Sequence, residues 1–183
     1  MNILFHYESL AIGGQQTQTL NILKEIHGRG EDKLFFIYNY SDELAIEYAK
    51  YTTLLKIPVN LGPKDYLKPW KLVRIIYTTI RYFRKYRIER VVSGSGLGSL
   101  ICGISARIYG IKHFRLIGCS LIQVEKTLYK FYKLSGIDKL IDGYFGWQAV
   151  FNELKSKGVS ENKFVQIIGS VDTDLFFISI AVA

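Results

Sequence analysis

Short apolar runs alternate along this chain with segments whose apolar residues recur every three or four positions. The run at 2–8 predicts a buried strand, and 15–27 follows it with the helical spacing of Leu20, Leu23 and Ile26. The alternation continues along the chain. Further strands are predicted at 34–38, 53–57, 91–93, 114–119, 143–145 and 164–168, and further helices at 42–50, 70–86, 97–109, 125–134 and 147–157.

Strands that are apolar throughout and separated by helices predict a parallel sheet that is covered on both faces. The 183 residues, 49% of them hydrophobic, suffice for one core of ordinary size. We therefore predict an α/β fold with a Rossmann-like, doubly wound and mostly parallel sheet in a single domain. Ligands of such folds bind at the carboxyl ends of the strands, so the loops that follow the strands are the candidate sites.

The loop after the fourth predicted strand is rich in glycine, in the stretch VVSGSGLGSL at 91–100. A dinucleotide-binding fingerprint, G-x-G-x-x-G, also needs an acid about 20 residues further on. Ser99 stands where a motif that begins at Gly94 needs its third glycine, and no acid follows the next strand before Glu125. The stretch therefore predicts close packing of a strand and a helix rather than an NAD site.

Two glycines, Gly13 and Gly14, separate the first strand from the first helix. Glycines at such a junction let backbone N–H groups approach an anion at the positive end of the helix. The composition alone fits a phosphate-binding loop and a simple turn equally well.

The net charge of +8 is concentrated in one segment, since 64–90 contains nine basic residues and two acids. Such a patch favours lipid head groups, a phosphate-bearing substrate or nucleic acid. The helix at 70–86 is predicted to be amphipathic, with the basic residues on a face separate from its apolar residues Trp70, Val73, Ile76, Tyr77, Ile80 and Phe83. Because aromatic residues at helical spacing fit a core better than a stacking platform, no nucleic-acid partner is predicted.

The cysteines, the start of the chain and the length of its apolar segments indicate the cellular compartment. Cys102 and Cys119 form no CxxC pair, and no histidine cluster accompanies them, so neither a disulfide framework nor a zinc site is predicted. The start of the chain lacks the basic residues of a signal peptide, and no apolar segment approaches the roughly 20 residues that span a bilayer. We expect a cytoplasmic protein. Its basic segment would also allow it to bind peripherally to the inner face of the plasma membrane.

Two segments together resemble a known family. The start NILFHYESLAIGG at 2–14 and the run ELKSKGVSENKFVQIIGSVDTDLF at 153–176 are similar to the N-terminal half of a family 4 glycosyltransferase with the GT-B fold. The resemblance implies a domain at 1–176 that binds the sugar acceptor, opposite a second domain that binds a nucleotide-sugar donor. It also implies a transferase of the retaining type, with the nucleotide sugar as co-substrate and no cofactor or metal.

The resemblance implies two sets of site residues. The loop of Gly13, Gly14 and Gln15 corresponds to the one that approaches the donor diphosphate. The residues implied for the acceptor cleft are Ser93, Ser95, Gly96, Cys119 and Ser120. Glu8 is added to this cleft from its position at the end of the first strand beside the glycine loop, where capping of that turn is the alternative. No catalytic residue is identified, because family members commonly carry a histidine near the end of strand five, where this chain has 118–120, Gly-Cys-Ser, and its nearest histidine, His113, lies at the start of that strand.

If the chain is the acceptor half of such a transferase, we expect the basic segment to dock on anionic lipid and to present a lipid-linked acceptor. The residues expected there are Lys68, Lys71, Arg74, Arg81, Arg84 and Lys85. An ordinary solvated helix face is the alternative.

The expected function is transfer of a sugar from a nucleotide-sugar donor to a saccharide or lipid-linked acceptor, in bacterial surface polysaccharide synthesis. The apolar tail at 177–183 is unlike the linker of the family and is expected to be a truncation or frameshift scar. A separate chain would then carry the donor-binding half, and this chain alone would be inactive. The alternative is a non-catalytic remnant or a module that binds membrane surfaces.

Overall fold

The structure is a computed structural model that describes residues 1–183 except 31, 40, 58–67, 95, 118–135, 147, 157, 172–175 and 181–183. The strands are β1 Asn2–His6, β2 Lys33–Tyr38, β3 Thr53–Lys56, β4 Arg90–Ser93, β5 Lys112–Ile117, β6 Gly143–Gly146, β7 Phe164–Val171 and β8 Phe176–Ile180. The α-helices are α1 Gly14–Gly28, α2 Ala45–Ala49, α3 Pro69–Tyr86, α4 Gly96–Tyr109 and α5 Gln148–Ser156, and short 3-10 helices occupy Ile137–Leu140 and Glu161–Lys163.

The strands form one sheet in the order β3-β2-β1-β4-β5-β6-β7-β8. Neighbours from β3 to β7 are parallel, and β8 pairs with β7 in the antiparallel direction. The predicted α/β class with a mostly parallel sheet is therefore confirmed. Four of the residues expected in an apolar tail, 177–180, belong to β8, and the boundary at 176 stays a prediction.

Side chains that alternate along the strands supply a core on each face of the sheet. Phe5 and Phe36 pack with residues of α1 and α2 on one face. Leu4 and Val91 pack on the other face with residues of α3 and α4. The pattern of apolar residues in the sequence predicts these strands because every central strand is buried on both faces, so most of its residues are apolar. The predicted helix at 125–134 lies outside the described residues.

The helix α3 differs from the prediction in the direction of its apolar residues. Ile75 and Phe83 are fully buried, as a core-facing stripe requires. Trp70, Val73 and Tyr77 are 66%, 65% and 62% exposed, on the side of the helix that carries the cations. The sheet and α4 cover only one stripe of α3, so the predicted separation of an apolar and a basic face is wrong for these three residues.

Candidate functional site

The carboxyl ends of β1 and β4 lie side by side at one edge of the sheet, where α1 and α4 begin. This arrangement follows from the parallel register, in which His6 of β1 is opposite Ser93 of β4. The register thereby brings the described residues expected at the site to the same carboxyl edge: Glu8, Gly13, Gly14 and Gln15 follow β1, and Ser93 and Gly96 lie at and just after the end of β4. Three of the expected acceptor residues, Ser95, Cys119 and Ser120, lie outside the described residues.

The loop between β1 and α1 is held by the connection that follows β2. The Ile12 N–H donates to Glu43 Oε2 over 2.9 Å, and the Leu44 N–H donates to the Leu10 carbonyl over 3.0 Å. The Ile12 side chain is 75% exposed. These bonds fix the backbone just before Gly13 while leaving the loop surface accessible.

The helix α1 begins at Gly13 and Gly14 without a side-chain cap or an acid in its first turn. The Gly13 carbonyl accepts hydrogen bonds from both the N–H and the hydroxyl of Thr17, over 2.9 and 3.0 Å. A Cβ at Gly14 would meet no atom within 4 Å, whereas one at Gly13 would lie 2.6 Å from Gln16 Oε1. The positive end of α1 is thus open in front of Gly14, which is the geometry that an anion requires.

The close approach of the Tyr7 ring explains why residue 94 is a glycine. A Cβ at Gly94 would lie 1.7 Å from Tyr7 Cζ, so the ring occupies the place of any larger side chain. The ring stacks on Phe36 with centroids 6.1 Å apart, and its hydroxyl accepts a hydrogen bond from Thr19 Oγ1 over 3.0 Å. At Gly96 a Cβ would meet no atom within 4 Å. Of Gly94 and Gly96, only Gly94 is therefore required by the packing of the described residues.

Ser93 has its hydrogen-bond partners inside the fold. Its Oγ lies 2.8 Å from Ser99 Oγ and 2.8 Å from His113 Nε2, and all three side chains are fully buried. His113 Nδ1 is 2.9 Å from the Leu140 carbonyl. A carbonyl only accepts, which assigns the proton to Nδ1, so Nε2 accepts from Ser93. The hydroxyl expected in the acceptor cleft is thus directed between the sheet and α4.

Two buried histidines, His113 within this network and His6 on the neighbouring strand β1, are both held neutral. Burial lowers the pKa of His6 to about 4, and the nearby His113 lowers it further. Burial is also the main reason that the pKa of His113 falls to about 4. Neither ring nitrogen of His6 has a hydrogen-bond partner among the described residues. These imidazoles are interior groups rather than an acid or base presented to a substrate.

Sequence reasoning missed this buried network. The sequence feature that could have indicated this network is the occurrence of polar residues at core-facing positions of otherwise apolar strands and of α4. Glu8 is half-buried just after β1 and remains the only expected acceptor residue with a carboxylate. Its role, like those of Ser95, Gly96, Cys119 and Ser120, stays a prediction.

The opposite, amino edge of the sheet contains a cavity of about 220 Å³. Arg107, Lys112, Lys139 and Asp142 contribute its charged side chains. The cavity lies at the start of β5 and the end of α4, far from the loops expected to bind sugar. Among the described residues no cluster of three His, Cys, Asp or Glu side chains could hold a metal. Burial raises the pKa of the Cys102 thiol, so it is unreactive.

The residues expected at a membrane surface lie on or beside α3. Lys68, Arg74, Arg81, Arg84 and Lys85 are exposed, and Lys71 is half-buried. In the part of the chain that the structure describes, no helix is both long and apolar enough to cross a bilayer.

Solved structures share this fold. Anabaena Alr3699/HepE in complex with UDP-glucose matches with a TM-score of 0.69 at 13% identity, over 95% of this chain and 45% of that one. A glycosyltransferase from Rickettsia africae matches with a TM-score of 0.68 at 18% identity, over 94% and 44%. The lipopolysaccharide outer core galactosyltransferase WaaB matches with a TM-score of 0.66 at 13% identity, over 90% and 44%.

These matches confirm that the chain has the fold of one half of a GT-B enzyme, and that it spans less than half the length of the structures it matches. UDP-GlcNAc 2-epimerases have the same fold, so the fold alone does not fix the reaction. No protein-family model matches the sequence, and no curated protein matches it.

Proposed function

We propose that this chain is the acceptor-binding half of a glycosyltransferase that takes a sugar from a nucleotide-sugar donor. The observation that carries the proposal is the open, uncapped start of α1 at Gly13 and Gly14, at the carboxyl edge of a GT-B half. The HepE structure that shares the fold contains UDP-glucose, which supports a nucleotide sugar as the ligand class.

In this proposal the diphosphate of the donor approaches the first turn of α1. The partial positive charge at the helix start would stabilise the diphosphate leaving group, and no metal or cofactor is then required. Gly14 matters because the absence of a side chain keeps that approach open. The donor nucleotide itself would be held by a second domain, on a separate chain or in a longer form of this one.

The acceptor would lie between that second domain and the carboxyl edge, near Glu8 and Gly96 and near Ser95, Cys119 and Ser120. A saccharide or a lipid-linked saccharide fits this role, with retention of the anomeric configuration and a place in bacterial surface polysaccharide synthesis. The reaction would then take place in the cytoplasm, at the inner face of the plasma membrane where the acceptor is lipid-linked. WaaB, a galactosyltransferase of the lipopolysaccharide outer core, supports the polysaccharide setting by analogy of fold.

A non-catalytic module that binds membrane surfaces is the second candidate. It is favoured by the exposed face of α3, which the proposed sugar chemistry does not use. The two candidates differ in what the start of α1 should bind, since only the transferase needs an anion there.

Calorimetric titration of the chain with UDP-glucose tests the proposal. We expect weak binding that Gly14→Leu abolishes, because a side chain there projects into the space that the diphosphate needs. The matched control is Gly28→Leu at the other end of α1, where a Cβ likewise meets no atom within 4 Å. Binding that is absent in the unaltered chain, or that survives Gly14→Leu as well as it survives Gly28→Leu, would overturn the proposal.

A further inference from the structure

The exposed face of α3 consists of apolar and cationic side chains only. No residue of this helix is acidic, and no neutral polar residue of it is exposed. The exposed residues are Pro69, Trp70, Val73, Arg74, Tyr77, Arg81, Arg84 and Lys85. A solvated helix face normally mixes both signs of charge with neutral polar groups, so this composition is unlike that of an ordinary surface helix.

The apolar and cationic residues share one stripe along the helix. Trp70, Val73 and Tyr77 are at positions i, i+3 and i+7, which places them on one side. Arg74 follows Trp70 by four residues, and Arg81 follows Tyr77 by four, so each aromatic ring has a guanidinium beside it on the same side. Three large apolar side chains, each more than three-fifths exposed, thus lie among cations.

The cations of this stripe are available to an anionic partner. In the described part of the chain, none of Arg74, Arg81, Arg84 and Lys85 forms an ion pair. Lys85 Nζ lies over the face of the Tyr86 ring, 5.0 Å from its centroid. Four positive charges without acidic neighbours on their own helix are complementary to a surface of negative charge.

Packing on the other side of α3 keeps this stripe facing the solvent. Ile75, Thr79 and Phe83 are fully buried, and Asn2 Nδ2 donates to the Tyr86 carbonyl over 2.9 Å. The helix therefore cannot rotate to bury Trp70 without losing its own core contacts.

The length of α3 also places its aromatic end near the carboxyl edge. Its 18 residues span about 27 Å, whereas the five residues of β1 span about 17 Å. The end of α3 is attached at the amino edge through Asn2, and the Tyr82 hydroxyl donates to the carbonyl of Lys56, the last residue of β3, so the start of the helix with Trp70 lies toward the carboxyl edge of the sheet.

We propose that this face of α3 binds the surface of an anionic lipid bilayer, with Trp70, Val73 and Tyr77 entering the interfacial layer and the four cations at the head groups. Amphipathic helices that lie in membrane interfaces combine aromatic and aliphatic residues with arginine and lysine in this way. Val73 distinguishes the stripe from a nucleic-acid surface, because an aliphatic side chain offers no stacking platform. The docking does not depend on sugar transfer, and it would bring a lipid-linked acceptor to the carboxyl edge.

Sedimentation with vesicles measures this docking directly. Vesicles of phosphatidylglycerol and phosphatidylcholine in equal parts should bind the chain, and vesicles of phosphatidylcholine alone should bind it far more weakly. Raising the salt concentration should weaken the binding, since the attraction is partly electrostatic. Binding that ignores lipid charge would overturn the proposal.

Two sets of variants separate the cationic from the apolar contribution. Arg74→Gln, Arg81→Gln and Arg84→Gln together should lower the partition coefficient about a hundredfold, or about fivefold for each cation. The matched control replaces three exposed cations elsewhere, in Arg29→Gln, Lys33→Gln and Lys112→Gln, and should have a much smaller effect. Equal losses in the two sets would show that only the net charge matters, and would overturn the assignment to α3.

The apolar contribution has its own control. Trp70→Gln, Val73→Gln and Tyr77→Gln together should lower binding by about tenfold or more. Ile46→Gln and Ile108→Gln change side chains that are 77% and 63% exposed elsewhere, and should leave binding unchanged. All of these positions are exposed, so the variants should fold, which thermal unfolding can verify.

Fluorescence tests insertion itself. The chain contains two tryptophans, and Trp147→Phe leaves Trp70 as the only one. On anionic vesicles the Trp70 emission should shift to shorter wavelength and become protected from acrylamide. Binding without either change would show adsorption by charge alone, and would overturn the insertion of the apolar stripe.

Discussion

The ring of Tyr7 occupies the space that a side chain at Gly94 would need. A Cβ built at Gly94 lies 1.7 Å from Tyr7 Cζ, although the two residues are 87 positions apart in the sequence. The contact joins the carboxyl ends of β1 and β4, and it explains the first glycine of the stretch at 91–100 without a nucleotide. It also couples the shape of the predicted acceptor cleft to the core beneath it.

Gly94→Ala should be strongly destabilising because the Tyr7 ring is stacked on Phe36 and cannot move aside cheaply. We expect the free energy of unfolding to fall by about 3 kcal/mol, measured by urea denaturation. Gly96→Ala is the control two residues later, where a Cβ meets no atom within 4 Å and helix propensity favours alanine by up to about 1 kcal/mol. A similar loss in both variants would contradict the role given to Tyr7.

Ser93→Ala should destabilise the fold by about 1–3 kcal/mol, because it leaves buried polar atoms of Ser99 and His113 without their present partner. Ser105→Ala, also on α4, is the control, since the Ser105 hydroxyl is buried and has no hydrogen-bond partner among the described residues. That substitution should leave stability unchanged or raise it slightly. If Ser93→Ala is as mild as Ser105→Ala, the buried network does not hold the end of β4.

The stability of the protein should fall as the pH is lowered from about 6.5 to about 4. The pKa values of His6 and His113 are lower in the folded protein, at about 4, than in an unfolded chain, so the unfolded state takes up protons first. The stabilisation from their neutral forms is complete above pH 6.5 and is lost across this window. His6→Leu should reduce the slope of stability against pH by about half, as measured by urea denaturation at several pH values. A slope unchanged by His6→Leu would show that this histidine is not buried neutral.

Much of the fold could be predicted from the sequence because its central strands are buried on both faces. The runs that became β2 and β4 are short, apolar and bounded by turn residues, which leaves little choice of structure. The ends of α2 were less well predicted, since the expected helix at 42–50 shortens to Ala45–Ala49.

The direction of side chains was harder to predict than the elements. The spacing of Trp70, Val73 and Tyr77 is helical, yet spacing does not say which of two adjacent stripes the rest of the protein covers. The pairing of Ser93 with His113 joins residues 20 positions apart on neighbouring strands, and only the strand register reveals it. The same limit applies to the site, where Gly13 and Gly14 were visible in the sequence but the open space in front of Gly14 was not.

Nitrogen-15 NMR of the unaltered chain, titrated with UDP-glucose and then with saccharides, maps where each ligand binds. We predict that the amide shifts caused by UDP-glucose fall at 12–17, around the start of α1, and that those caused by a saccharide fall in the neighbouring loops of the carboxyl edge. Shifts confined to the cavity at Arg107 and Lys139, or no shifts at the carboxyl edge with either ligand, would contradict the proposed acceptor-binding half of a glycosyltransferase.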